Sequence, residues 1–374
     1  MKPIAIYLHV PFCARKCAYW DFASFAGREA DWDRYFEALG GEIDAWAERL
    51  RAREARSVFF GGGTPSLVPA GYIAETLRRL RGHVTFAPGC EITVEANPGT
   101  LNPDKLRVYR ASGVNRLSIG AQSFDAELLR ALGRIHTPEQ AELAVRMARD
   151  AGFANISLDL MYALPGQTME AWAATLDRAL ALPVAHLSAY SLIVEEGTEM
   201  ERRVRAGEAA IPDDDAVNGM QRYAIRRLAD AGFMRYEISN FAQPGFESRH
   251  NLTYWNGGEY LGLGSAAHSL VDNCRFANPP ELDRYLAGER MLNRVGRSVS
   301  DRKEEMLMLA TRTVRGLDLR RWRAEFGEAL EEARSAEMRK LESYGLIEIA
   351  DGFLRLTPAG LELQDSVVLE LMEE

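Results

Sequence analysis

The chain has 374 residues, 47% of them hydrophobic and 26% charged, with a formal net charge of −9. That balance describes a soluble globular protein and excludes a general nucleic-acid binder with a basic surface; no apolar stretch reaches the roughly 18 residues that a membrane span requires. Four cysteines in so long a chain make no disulfide framework and suit a reducing compartment, where paired cysteines bind metal or do redox work.

The first stretch, MKPIAIYLHVPF, is interrupted by Pro11 and has no leader pattern, so a cytoplasmic location with at most peripheral membrane contact is expected. Strand-like apolar runs follow at 4–10, 57–60, 91–97, 116–123, 156–162, 186–192 and 235–241. Segments with helical periodicity lie between them at 32–52, 69–81, 138–151, 169–181 and 214–232. Strands read as apolar on both faces and separated by helices imply a parallel sheet, and this many units favour a partial (β/α) TIM-type barrel. Barrel chemistry gathers where strands end. Gly61 to Thr64 follow the second strand, Glu95 closes the third, Gln122 closes the fourth and Asp159 lies late in the fifth. The last part differs: helices are expected at 302–314, 318–326 and 329–344, then a hairpin within 345–360 around the Asp351-Gly352 turn. Three helices and a hairpin predict a winged-helix-like unit. The expected division is a barrel domain over 1–240, a linking region over 241–300 and a C-terminal domain over 301–374.

Cys13 and Cys17 stand four apart in the loop leaving the first strand, with Arg15 and Lys16 between them to favour thiolates. A Cys-x3-Cys pair alone is a weak metal signal. Glycines 61 to 63 lack the Lys-Ser/Thr of a phosphate loop; they suit a tight turn or the close approach of backbone to a ligand. A strand-end carboxylate such as Glu95 or Asp159 is more readily an ion pair or a cap than a ligand group.

The stretch YLHVPFCARKCAYWDF resembles the Cys-x3-Cys-x2-Cys loop of the radical S-adenosylmethionine superfamily. More closely, it resembles the oxygen-independent coproporphyrinogen III oxidase-like branch and, within it, the HemW-type haem chaperones. The segments FFGGGTPS, EITVEANPGT, GVNRLSIGAQSF, LGRIHT, LDLMYALPGQT, EISNFA and HNLTYWNGGEYLGLGSAAHS continue the likeness in the family's order. The resemblance implies a 4Fe–4S cluster held by three thiolates, with Cys13 and Cys17 as two of them, and S-adenosylmethionine on the open iron. It implies that Tyr7 and Tyr19 flank the nucleoside and that the run through Gly62, Gly63 and Thr64 meets the ligand's amino group. It places Glu95, Gln122, Arg134 and Asp159 at the ligand's polar groups. His250, in the run His250-Asn251-x-x-Tyr254-Trp255, becomes a candidate haem ligand, with His268 second. Haem-accepting respiratory proteins become the expected partners.

The departure falls at the third ligand, where position 20 is Trp20, an N–H donor with no sulfur. Cys90 precedes the EITVE strand and so belongs at the far rim, roughly 16 Å from Glu95. Cys274 has no place from sequence, and Asp21 offers only a harder oxygen. An incomplete or absent cluster is expected. Oxidase activity is not: the oxidases carry a further cysteine two positions after the third, where this chain has Phe22, and a longer lead-in than the twelve residues before Cys13.

Overall fold

The computed structural model describes residues 1–19 and 23–372. Trp20, Asp21 and Phe22, on which the expectations about the third ligand and the oxidase signature turn, lie outside them.

Six parallel strands form the heart of the molecule: β1 (Lys2–Val10), β2 (Arg53–Gly62), β3 (Thr85–Ala96), β4 (Arg116–Gln122), β5 (Asn155–Tyr162) and β6 (His186–Ser191). They neighbour one another in that order, as successive βα units do. The seventh expected strand is instead two short antiparallel ones, β7 (Met234–Arg235) and β8 (Asn240–Ala242), which close the sheet beyond β6. On the other side, β9 (Tyr260–Leu263) pairs parallel with β1, and β10 (His268–Val271), β11 (Cys274–Ala277) and β12 (Leu292–Gly296) extend the sheet antiparallel. The segment expected to link two domains therefore builds a third of the sheet's strands. Buried Glu42 anchors this extension by accepting from Gly264 N, Asn278 Nδ2 and Tyr285 Oη.

Outside the sheet run α1 (Trp32–Ala45), α2 (Ala70–Arg81), α3 (Pro103–Ser112), α4 (Pro138–Asp150), α5 (Met169–Leu180) and α6 (Asp214–Asp230). The α1 periodicity continues past its end, but the helix breaks at Trp46 and resumes over Ala47–Arg51. Local signals fix the other ends. Thr137 and Gln140 form a capping box on α4, and Asn102 caps α3 ahead of Pro103, with Gly113 closing it at φ +95°. Outward strand residues such as Leu8, Phe60, Val94, Ile119 and Leu158 meet Leu39, Leu77, Tyr109, Val145 and Trp172 in one continuous core. Each such side chain fully buried is worth about 1.5–3 kcal/mol.

The inward faces differ from the expectation of strands apolar on both sides. Registered rows of polar residues line the interior: Thr93 beside Arg116 and Asn155, then Glu95 beside Ser118, Ser157 and His186, then Asp159 beside Ser188 and Asn240. A half-closed barrel encloses a cleft rather than a packed core, so its inner face is free to be polar.

The C-terminal unit has its own core around Leu307, Trp322, Leu341, Leu354 and Val367. α7 (Arg249–Trp255) lies on its barrel side, and the unit itself runs through α8 (Val299–Ala310), β13 (Leu317–Asp318), α9 (Leu319–Phe326), α10 (Ser335–Ser343), β14 (Ile347–Ala350) and β15 (Phe353–Leu356). β13 joins the hairpin as a third strand, which completes the winged-helix order. Asp351 and Gly352 both have positive φ, +56° and +83°, as a type I′ turn requires.

Candidate functional site

The C-terminal rim of the strands surrounds a cleft that brings together Cys13, Cys17, Tyr19, Gly62, Gly63, Thr64, Glu95, Gln122, Arg134 and Asp159. Ten residues spread over nearly 150 positions of sequence thus face one space, most of them because they sit near or just beyond a strand end, and Arg134 because the loop after a short helix returns it there.

The cysteine loop is pinned at both ends. Phe12–Cys13 pairs with Phe25–Ala26, and Phe25 N donates to the Pro11 carbonyl at 2.7 Å. Gly62 has φ +109°, and a Cβ there would strike the His9 ring; a Cβ on Gly63 would strike the Phe12 carbonyl and the Cys13 sulfur. The glycines are therefore needed where the cysteine loop and β2 meet. The N–H groups of Gly62, Gly63 and Thr64 are already spent, on Glu95 Oε2 (3.2 Å), Val10 O (2.9 Å) and Phe12 O (2.8 Å). What the run can offer a ligand is carbonyl oxygen, which complements an ammonium group.

The sulfurs lie in a different charge environment from the one expected. Arg15 and Lys16 are exposed, and the guanidinium that reaches a sulfur is that of Arg134, 3.7 Å from Cys17 Sγ. Arg134 is held by Asn97 Oδ1 at 2.8 Å and the Gly120 carbonyl at 2.7 Å. Burial pushes the Cys13 thiol up, and its Thr64 hydroxyl partner, at 3.7 Å, only partly offsets this. Cys90 lies inside β3 rather than before it, among core residues, with burial pushing its thiol up to about 12; it lines no part of the cleft. Cys274 opens β11 on the sheet extension, 4.0 Å from Arg294 Nη2, and likewise lines no part of the cleft.

The carboxylates are held differently. Asp159 accepts from Ser118 at 3.1 Å and Ser188 at 2.8 Å, while among the described residues Glu95 accepts from Gly62 N alone. Burial, and then the charge of Asp159, push the Glu95 carboxyl up to about 8. Arg116 stands below them, 2% exposed, with no acceptor for its Nε among the described residues. A raised carboxyl is ionised in the unfolded chain from about pH 4.5 but in the folded chain only near 8, so folding loses stability as pH rises through that window. Glu95→Gln should therefore stabilise the ligand-free protein above pH 8 by at most about 5 kcal/mol and change little below pH 4.5. Chemical denaturation at the two pH values checks this. Equal midpoints of variant and parent at both would show that Glu95 is not strained by its site.

One residue expected at the nucleoside, Tyr7, is absent from the cleft wall. Tyr7 lies deeper, its ring on Phe59 at 6.2 Å and its hydroxyl 3.0 Å from His9 Nδ1. His9 donates from Nε2 to the Ala23 carbonyl at 2.8 Å, so Nδ1 accepts from Tyr7. His250 is 1% exposed on the barrel floor. Its Nδ1 meets Ser57 Oγ at 2.9 Å, its Nε2 meets Tyr254 Oη at 2.8 Å, and its ring stacks on Phe59 at 4.9 Å. The expected free imidazole nitrogen is not offered in this conformation, because both nitrogens are satisfied internally. His268 is exposed at the start of β10. The sequence reading missed Asn97, Ser118, Ser188 and Tyr190, whose hydroxyl donates to Gln122 Oε1 at 2.9 Å. For Ser118, Ser188 and Tyr190 the signal was present: alternate positions of RLSIGAQ and HLSAYS are polar.

A parallel half-barrel with a polar interior and a cysteine loop at the mouth of its first strand defines the radical S-adenosylmethionine class of protein. The Radical SAM superfamily model matches residues 7–179, and the HemN C-terminal domain model matches 298–363. The chain is 36% identical to the heme chaperone HemW of Mycobacterium tuberculosis over 99% of its own length and 95% of that protein's. It is 40% identical to the heme chaperone HemW of Escherichia coli K12, over 72% of this chain and 71% of that one. In structure it matches the coproporphyrinogen III oxidase HemN of Escherichia coli with a TM-score of 0.86 at 24% identity, over 99% of this chain and 90% of that chain. The chain belongs to the HemW family of the radical SAM superfamily.

Proposed function

We propose that this protein binds haem in the cytoplasm and hands it to membrane-associated or respiratory acceptor proteins. S-adenosylmethionine, in this reading, occupies the rim cleft as a structural or regulatory ligand, and the chain performs no radical chemistry of its own. The observation that carries the reading is the match, along essentially the whole chain, to proteins named heme chaperone.

The residues do not fit the full cluster of the superfamily. Two sulfurs face the cleft, position 20 is tryptophan, and among the described residues no three His, Cys, Asp or Glu side chains gather as a metal group. No step of the proposed function passes through a cluster. The residues do fit the organic ligand. The carbonyls of the 61–63 run suit its ammonium, Arg134 its carboxylate, and Glu95 and Asp159 its hydroxyls, with Tyr19 and Gln122 beside them. Calorimetry should find S-adenosylmethionine bound at least about tenfold more weakly than by a Trp20→Cys chain with a reconstituted cluster. Equal, tight binding by both would contradict this assignment.

The fold likeness to an oxidase supports the fold alone. Haem titration followed by mixing with an apo-haem acceptor in vesicles tests the carrier reading. Stoichiometric uptake and transfer to the acceptor are expected. Uptake without transfer would limit the protein to storage, and conversion of coproporphyrinogen III would return it to the oxidases.

A further inference from the structure

A second cleft opens between the end of α7 and the C-terminal unit, lined by Trp255, Arg297, Arg302, Arg315, Arg321 and the side chains of Met306, Leu309 and Phe353 among others. Its charge runs against that of the chain, whose net is −9. Glu305 is shared by Arg275 (2.8 Å) and Arg297 (2.7 Å), and Glu325 by Arg302 (3.1 Å) and Arg321 (3.9 Å). The third carboxylate, Asp318, is spent capping α9 through the N–H groups of Arg320 and Arg321. Arg312 and Arg315 lie over the rings of Trp255 (4.9 Å) and Phe353 (4.8 Å) and form no ion pair among the described residues. The unsatisfied groups here are all donors: Trp255 Nε1, Arg302 Nε and Arg312 Nε have no acceptor among the described residues. Surplus cations and donors beside two aromatic rings, a methionine and a leucine call for a flat apolar molecule that carries carboxylates.

The run His250-Asn251-Leu252-Thr253-Tyr254-Trp255 is thereby divided. His250 and Tyr254 serve the barrel floor, while Trp255 faces this cleft. We propose that the cleft seats the propionate-bearing edge of haem, with Arg315 supplying the charge; this rests on the haem-binding reading above.

The test is an equilibrium titration of the full chain with haem, with haem dimethyl ester and with metal-free protoporphyrin IX, read at the Soret band or by tryptophan quenching. Arg315→Glu should weaken haem and protoporphyrin IX at least about tenfold, Arg315→Gln should fall between, and Arg107→Glu on exposed α3 should change nothing. The dimethyl ester should bind the parent weakly and be indifferent to Arg315. Circular dichroism melting confirms that the Arg315 variants fold. Haem uptake unaffected by Arg315 or by esterification overturns the cleft assignment and leaves the haem reading standing. Uptake of neither porphyrin overturns both. A duplex DNA that binds the parent and is lost in Arg315→Glu while haem is unaffected would assign the basic cleft to phosphates instead.

Discussion

Trp20→Cys should convert a chain that retains little iron after anaerobic reconstitution into one that holds about four irons, with broad thiolate-to-iron absorption near 400 nm. The other two sulfurs already face the same cleft, with Arg134 standing 3.7 Å from Cys17. Only the third soft donor is missing from the sequence. Trp20→Ala separates space from coordination, since it removes the ring and supplies no sulfur. Equal iron in both variants and in the parent would show that the missing thiolate is not the limiting defect.

His250→Ala should destabilise the fold by about 3 kcal/mol whether or not haem is present. The substitution empties a site 1% exposed and leaves the hydroxyls of Ser57 and Tyr254 without their partner. It should also flatten the acid side of the stability curve. Burial, and then the charge of Arg116, hold the folded imidazole near 3, against 6.5 for the free group. Between those values the unfolded chain takes up a proton that the folded chain refuses, so stability falls as pH falls from 6.5 towards 3. Removing the group removes its share of that slope. Urea melts at pH 7 and pH 4.5 measure both effects. A variant of unchanged stability that has lost its haem would mean that His250 leaves the floor to bind iron.

The parallel core was legible because each strand is a compact apolar run and each helix carries its period and caps. The rim site was legible for the same reason: Cys13, Gly62, Glu95 and Gln122 all mark strand ends, and strand order alone sets them side by side. Arg134 follows a short helix, Ala126–Ala131, and no local pattern aims it at Cys17; only family likeness pointed there. The sheet extension was not legible. Its strands are four or five residues long, interrupted by Gly262 and Gly264 and joined at Asp272-Asn273, both of positive φ. Nor could sequence assign His250 to the floor. Its hydrogen-bond partner Ser57 is 193 residues away, and a lone histidine reads alike as ligand or as packing until that partner is placed.

The most direct test is a haem titration of the Trp20→Cys chain, once stripped of non-haem iron by chelator and once after anaerobic cluster reconstitution. The haem site proposed here shares no residue with the cysteine cleft. One haem per chain, bound with the same dissociation constant in both preparations, is therefore the predicted result. Haem bound only after reconstitution, or displaced when S-adenosylmethionine is added, would place haem at the cysteine cleft and contradict the account.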